Sequence, residues 1–354
     1  MSGEQGALAE RVIAWQRRHG RHDLPWQGTR DPYRVWLSEI MLQQTQVATV
    51  LAYYPRFLQR FGDVAALASA SEDEVLALWS GLGYYSRARL LHRCARQVMA
   101  DFGGQFPTRA ATLASLPGIG RSTAAAIAAF CFGERAAILD GNVKRVLARV
   151  FAITDDLGQA APMRALWQRA EDLLPRSRLR STMPAYTQGL MDLGATLCLP
   201  RRPACGRCPL AAICLAAASG EPERWPAKRP RPARRELALW LVHAVDAQGR
   251  VWLTRRPSRG IWAGLHCMPA FESRTLALGS LPSGARGRVH EHAPFTHVLT
   301  HRDLHLHVLT ARLSGGELAD EHGAWVAPER WSGFGLPAPV RRFLLSASPV
   351  RGGA

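Results

Sequence analysis

Six side chains have types and spacings that could do chemistry. Cys198, Cys205, Cys208 and Cys214 follow one another as C-x6-C-x2-C-x5-C. Four thiolates this close, set among prolines directly after a helical stretch, can surround one metal centre. Zinc favours pairs of C-x2–4-C ligands, and only one pair here is that tight. A cubane iron–sulfur cluster takes four thiolates and tolerates wider loops. The spacing therefore predicts a [4Fe–4S] cluster, with zinc as the alternative. The other two side chains are carboxylates. Asp140 opens Asp140-Gly141-Asn142 at a predicted helix start, where backbone N–H groups and the helix dipole favour an ionised group. An ordinary structural cap would read the same way. Glu39 sits mid-helix among Val35, Trp36, Ile40 and Met41. Burial there would hold its carboxyl protonated near neutral pH; a partly exposed helix carboxylate is the plainer alternative.

The elements that must position these groups are helical. Leu116 to Lys144 opens with the turn Pro117-Gly118-Ile119-Gly120, whose glycines can take φ > 0. An alanine-rich helix from Ser122 to about Phe132 follows, so residues 113–132 read as a helix-hairpin-helix. Backbone N–H groups at such a turn suit a phosphate oxygen. Before the hairpin, an amphipathic helix carries Leu8, Val12, Ile13 and Trp15. The stretch 31–47 reads as one helix and the rest of 32–60 as a second. Further helices are expected at about 72–80, 86–101, 142–151, 163–174 and 184–197. Residues 1–220 are therefore predicted to be an all-α domain, with the cluster loop at 198–214. Residues 221–236, rich in proline and arginine, read as an extended linker. Beyond it the period becomes alternating. Residues 236–245, 250–256 and 304–313 are expected strands, with turns at Asp246–Gly249 and Gly315-Gly316 and a closing helix over 338–346. Residues 237–350 thus form a second, α+β domain.

The 354 residues suffice for two cores, and a formal charge of +17 points to a polyanionic partner. Only Lys144 and Lys228 are lysines; arginine supplies the remaining basic charge. Cys94, Cys131 and Cys267 are scattered and read as small buried hydrophobes rather than a disulfide framework. No apolar run approaches a membrane span, and the start MSGEQGALAE lacks the pattern of a signal peptide. The expected location is the cytoplasm, in association with the nucleoid.

The cysteine spacing, the hairpin and Asp140 together resemble the endonuclease-III-like superfamily of helix-hairpin-helix DNA glycosylases. Within it, WLSEIMLQQTQVATV (36–50), LWSGLGYYSRAR (78–89), LPGIGRSTA (116–124) and ILDGNVKRVLARV (138–150) resemble the MutY-type adenine DNA glycosylases. The resemblance implies flipping and hydrolytic removal of adenine from 8-oxoguanine·A or G·A mispairs in double-stranded DNA, by a monomer that leaves an abasic site. Breaking the glycosidic bond asks for an acid on the leaving base and an anion beside the oxocarbenium-like sugar. The resemblance gives the first role to Glu39, on adenine N7, and the second to Asp140, with Asn142 beside it. It implies an adenine pocket of Leu24, Trp26, Leu42, Val47 and Gln188. It further implies DNA contacts from Gln44, Thr45, Leu82 and Tyr84, which wedge into the duplex, and from Gly118, Gly120, Ser122 and Lys144. In the family the cluster is structural, and Arg201, Arg202 and Arg207 would lie near the DNA.

The competing reading is a bifunctional glycosylase/lyase for damaged pyrimidines. Those enzymes resemble this chain but carry a lysine nucleophile where this chain has Ser122. The second domain resembles the family's Nudix-like domain through GIWAGLHCMPAFE (260–272) and FTHVLTHRDLHLH (295–307). It lacks the G-x5-E-x7-R-E-x-x-E-E metal box, so lesion recognition is expected in place of pyrophosphatase activity. Leu299-Thr300-His301 stands where relatives have Phe-Ser-His, which makes Thr300 and His301 the expected lesion contacts. The domain's histidines are expected on strand faces and in loops.

Overall fold

A computed structural model describes residues 2–227, 233–314 and 323–347. Part of the expected linker, with Lys228, and the expected Gly315-Gly316 turn lie outside the described residues. The chain forms two compact units, one of Met1–Ser69 with Arg93–Pro230 and one of Ala70–His92 with Arg231–Ala354. Sequence alone assigned Ala70–His92 to the first domain.

In the first unit, α1 (Ser2–His19) is followed by α2 (Pro32–Leu42), α3 (Val47–Arg60) and α4 (Val64–Ser69). α2 starts as expected, with Pro32 in its first turn and the Asp31 carboxylate accepting from the Tyr33 N–H at 2.9 Å. It stops at Leu42, short of the expected residue 47, because Gln44 enters the left-handed region at φ 56°. α5 (Glu72–Trp79) belongs to the second unit, and α6 (Ser86–Phe102) runs across the boundary between the two. The hairpin is α7 (Ala110–Leu113) and α8 (Arg121–Ile127), and α8 continues as a π-helical turn over Ala128–Phe132. α9 (Gly141–Val150), α10 (Ala160–Asp172) and α11 (Leu179–Thr196) follow. α11 begins earlier than the expected residue 184, so Pro184 lies inside it. The Arg180 carbonyl that Pro184 cannot bond accepts instead from Arg30 Nη2 at 3.2 Å. α12 (Leu215–Ala218) closes the cysteine segment. Leu8, Val12 and Ile13 of α1 join Val143, Val146 and Leu147 of α9 and Met183, Tyr186 and Leu190 of α11 in one buried cluster. Removing that apolar surface from water is what holds α9 and α11 in place.

Among the described residues, the second unit is built on one eight-stranded sheet. Its strands are β1 (Arg235–Val245), β2 (Val251–Arg255), β3 (His266–Cys267), β4 (Ala270–Phe271), β5 (His290–Glu291), β6 (Phe295–Val298), β7 (Arg302–Arg312) and β8 (Gly323–Val326). β1 and β7 pair in parallel along their whole lengths, from Arg235 opposite Arg302 to Val245 opposite Arg312. The other pairings are antiparallel. α13 (Arg274–Gly279) and α14 (Ser283–Arg286) lie between β4 and β5, and α15 (Ala338–Ala347) ends the described chain. Ala277 and Leu281 pack with Val242, Ala244, Leu309 and Ala311 in a core separate from that of the first unit.

Ala70–His92 is tied to this sheet unit by polar bonds. Ser80 Oγ donates to the Leu336 carbonyl at 2.9 Å, Arg89 Nη1 to the Ala263 carbonyl at 2.9 Å, and Arg255 Nη2 pairs with Glu72 at 2.8 Å.

Candidate active site

Glu39 lies on α2, and all its neighbours from Val35 to Met41 are buried. Glu39 alone keeps partial exposure, because it opens into a cavity of about 460 Å³. Leu24, Trp26, Leu42, Val47 and Gln188 line the same cavity, so the fold brings together all five expected pocket residues with the expected acid. Trp26 is fixed edge-on against Tyr54, with ring centroids 5.5 Å apart. Burial pushes the Glu39 carboxyl up to about 8, and the charge of Asp140 adds to the rise. A carboxylic acid therefore stands in the cavity wall at neutral pH.

Asp140 does not line that cavity. It caps α9, with Oδ1 accepting from the Val143 N–H at 2.7 Å. Burial raises its pKa from the ordinary aspartate value, although the Val143 and Asn142 N–H groups and the nearby Arg145 and Lys144 pull it down. The N-cap position alone implied the opposite direction, and desolvation outweighs it. Of the pair, Glu39 holds the proton and Asp140 is the ionised member whose charge Glu39 feels. Asn142 Oδ1 accepts from Arg145 Nη2 at 2.8 Å. α11 comes close here because Gly194 has no side chain: a Cβ at that position would stand 2.6 Å from Asn142 Cβ.

In the hairpin turn Gly118 takes φ 77°, but Gly120 is extended at φ −81° and ψ 167°. Only one of the two glycines thus uses the expected freedom; Gly120 serves as N-cap of α8. Ser122 is engaged locally, its Oγ accepting from the Leu139 N–H at 3.0 Å just before Asp140. Lys144 lies on α9 and is partly exposed. In the 43–46 break, Thr45 Oγ1 donates to the Gln43 carbonyl at 3.4 Å.

Tyr84 is exposed and left-handed, at φ 47°. Leu82 is only 6% exposed, so it does not project as an expected wedge. Arg87 holds this turn, with Nη2 donating to the Leu82 and Gly83 carbonyls at 3.4 and 3.3 Å. Thr300 meets Tyr84 through its hydroxyl. His301 is exposed, and its carbonyl accepts from the Arg235 N–H at 3.2 Å.

Cys198, Cys205, Cys208 and Cys214 line one cavity and form no disulfide. Among the described residues no three His, Cys, Asp or Glu side chains converge closely enough to hold a single metal ion. Four thiols around a void suit a polynuclear cluster, whose own atoms fill the centre, better than one zinc. Arg149, buried on α9, turns Nη1 to Cys198 Sγ at 3.3 Å and to the Leu199 carbonyl at 2.6 Å, which suits a thiolate.

Neither Arg21, which lines the cavity, nor Asp192, which lies outside it, was singled out in the sequence. Asp192, one helical turn beyond Gln188 on α11, is fully buried and pairs with Arg21. The Gln-x3-Asp spacing was the available signal, since such a pair shares one helix face.

Three family models match the chain: the HhH-GPD superfamily base excision DNA repair proteins over residues 37–172, the iron–sulfur binding domain of endonuclease III over 198–214, and the NUDIX domain over 240–346. A thermostable thymine-DNA glycosylase of known structure aligns with a TM-score of 0.53 and 30% identity, over 60% of this chain and 95% of that one. An endonuclease III bound to DNA shares the fold at a TM-score of 0.52. An adenine DNA glycosylase of Buchnera aphidicola subsp. Schizaphis graminum is 33% identical over 95% of this chain and 97% of its own length. The chain belongs to the adenine DNA glycosylases. The human member is 44% identical over 62% of this chain and 41% of its own. The glycosylase acts in base-excision repair, binds DNA and removes adenine by hydrolysis of its N-glycosyl bond. It carries a [4Fe–4S] cluster, and a Nudix-like domain follows its helical domain. Among the described residues no helix is long and apolar enough to cross a membrane.

Proposed function

We propose that this glycosylase excises adenine opposite 8-oxoguanine or guanine by hydrolysis alone, as a cytoplasmic, nucleoid-associated monomer. The adenine is flipped into the cavity beneath Glu39. The Glu39 proton passes to N7 and makes the base a competent leaving group. Asp140 stabilises the sugar as the C1′–N9 bond breaks, directly or through a transient covalent bond. Glu39, now ionised, accepts a proton from the attacking water. Asn142 steadies the helix start that carries Asp140. The observation that carries this reading is the Glu39 carboxyl in the wall of the cavity that Leu24, Trp26, Leu42, Val47 and Gln188 also line, where burial raises its pKa.

Cys198, Cys205, Cys208 and Cys214 would hold the cluster, which keeps Arg201, Arg202 and Arg207 toward the phosphates. The backbone at Gly118, Gly120 and Ser122 suits a phosphate oxygen, and Lys144 adds charge. Gln44, Thr45 and Tyr84 would enter the duplex around the lesion, with Arg87 stacked on the Tyr84 ring and Leu82 buried in the same turn. Thr300 and His301 would read 8-oxoguanine. Ser122 offers no amine for a Schiff base, which supports a monofunctional enzyme.

Single-turnover release from an 8-oxoguanine·A duplex tests both parts. Strand cleavage only after alkali is expected. A borohydride-trapped adduct forming as fast as base release would overturn the monofunctional reading. Glu39→Gln should abolish release yet keep binding to the mispair, since no phosphate contact is lost; retained turnover would remove Glu39 from its role.

A further inference from the structure

The Asp192 carboxylate makes three hydrogen bonds. Its Oδ1 accepts from Arg21 Nε at 2.7 Å and from Gln188 Nε2 at 2.8 Å, and its Oδ2 accepts from the Arg21 backbone N–H at 2.9 Å. Asp192 is fully buried, and Arg21 and Gln188 both line the cavity that holds Glu39. An ionised carboxylate has no hydrogen to give. The Gln188 amide must therefore turn its NH2 end to Asp192, which leaves Oε1 as its free end. An unconstrained glutamine could offer either end, and a cavity with either choice would select a different base.

We infer that Asp192 is a positioning residue for base specificity: it locks Gln188 with its acceptor oxygen toward the base, where it recognises the exocyclic amine of adenine. This rests on the cavity being the adenine site. Adenine presents an acceptor at N7 beside a donor at N6, whereas guanine presents two acceptors, N7 and O6. A protonated Glu39 and a Gln188 oxygen match the first pattern. Against guanine or hypoxanthine the Gln188 oxygen faces another oxygen. Arg21 neutralises Asp192, so the lock adds no net negative charge beside the sugar.

The test compares single-turnover release of adenine with that of unsubstituted purine, which lacks the amine, each opposite guanine. Asp192→Asn gives Gln188 a partner that can donate or accept, so its amide can reverse. Adenine release should then fall on the order of tenfold to a hundredfold, the effect of a mispaired buried polar group, while purine release changes by no more than a few-fold. In a Gln188→Leu background the same substitution should leave the adenine/purine ratio where Gln188→Leu alone puts it. Equal losses on both bases, or full additivity with Gln188→Leu, would overturn the positioning role. An unchanged ratio in Gln188→Leu itself would instead overturn the placement of adenine against Gln188. If Asp192→Asn does not fold, Gln188→Glu asks the same question. The new carboxyl must keep a proton to donate to Asp192, so the adenine/purine ratio should fall as pH rises. A ratio independent of pH would refute the lock.

Discussion

The hydroxyl oxygens of Tyr84 and Thr300 lie 2.6 Å apart. Tyr84 sits in the turn between α5 and α6, and Thr300 in the turn between β6 and β7. The bond joins the residue expected to enter the duplex to the loop expected to read the lesion. Thr300→Ala should lower the preference for 8-oxoguanine·A over G·A by about fivefold, the worth of roughly one hydrogen bond. Tyr84→Phe should do the same, and the double variant should be no worse than either single one. Competition between the two duplexes measures this; an unaltered preference in both single variants would separate the loop from lesion reading.

Glu39 gives adenine release a definite pH limit. The acid is active while protonated, so the single-turnover rate should hold below about pH 8 and fall about tenfold per unit above it. A rate that instead falls between pH 4 and 5 would mean a carboxyl of ordinary acidity.

The same carboxyl affects stability. Its pKa is raised in the folded chain, so the fold binds its proton more tightly than the unfolded chain does. Stability on this account is full below the ordinary value of 4.5 and declines as pH rises toward about 8. Glu39→Gln removes that penalty. The variant should melt higher than the parent at pH 8.5, and the gap should close near pH 4.5. Parallel melting curves across that range would contradict the burial.

Arg149 should matter to the cluster segment more than any exposed arginine does. It donates to the Leu199, Pro200 and Trp225 carbonyls at 2.6, 3.1 and 3.0 Å as well as approaching Cys198 Sγ. Arg149→Met keeps the bulk and strands those acceptors, a cost of about 3 kcal/mol or more. Iron content and melting temperature should both fall. Arg207→Ala, on the surface, should leave both unchanged while weakening DNA binding and reducing its salt dependence.

His243 makes the second unit sensitive to acid. Burial, helped by the neighbouring His292, lowers its pKa to about 4, and its Nδ1 shares the Thr310 hydroxyl with His292 Nε2 at 3.0 and 2.8 Å. Here the unfolded chain binds the proton more tightly. Stability is full above about pH 6.5 and is lost as pH falls toward 4. His243→Gln should flatten that decline in a denaturant series between pH 7 and pH 4.5.

Much of this was legible in residue order, and the remainder divides by physical cause. Glu39 stood out as a lone carboxylate in an apolar helical period, but its role as the acid came from the family resemblance and not from the pattern. β1, β2 and β7 were visible because alternation lasts long enough in them to be distinctive. Two-residue strands such as β3 and β4 carry no period and exist only through their partners. The end of α2 carried no glycine or proline to announce it, and the left-handed Gln44 is a tertiary choice. Asp192 was not singled out in the sequence. What makes it part of the site is Arg21, 171 positions away in the chain.

The backbone passes from one unit to the other three times, before Ala70, after His92 and after Pro230. A protease that nicks the proline-rich stretch near residue 230 therefore does not cut cleanly between the units: residues 70–92 stay on the helical fragment, and residues 231–354 are held to them only by non-covalent bonds. A gene ending at codon 230 would encode a helical half whose residues 70–92 have lost Leu336, Ala263 and Arg255 as anchors. Activity lost on such truncation would measure the loosening of the Tyr84 turn together with the loss of the second domain. The two contributions come apart only in point variants of the full chain.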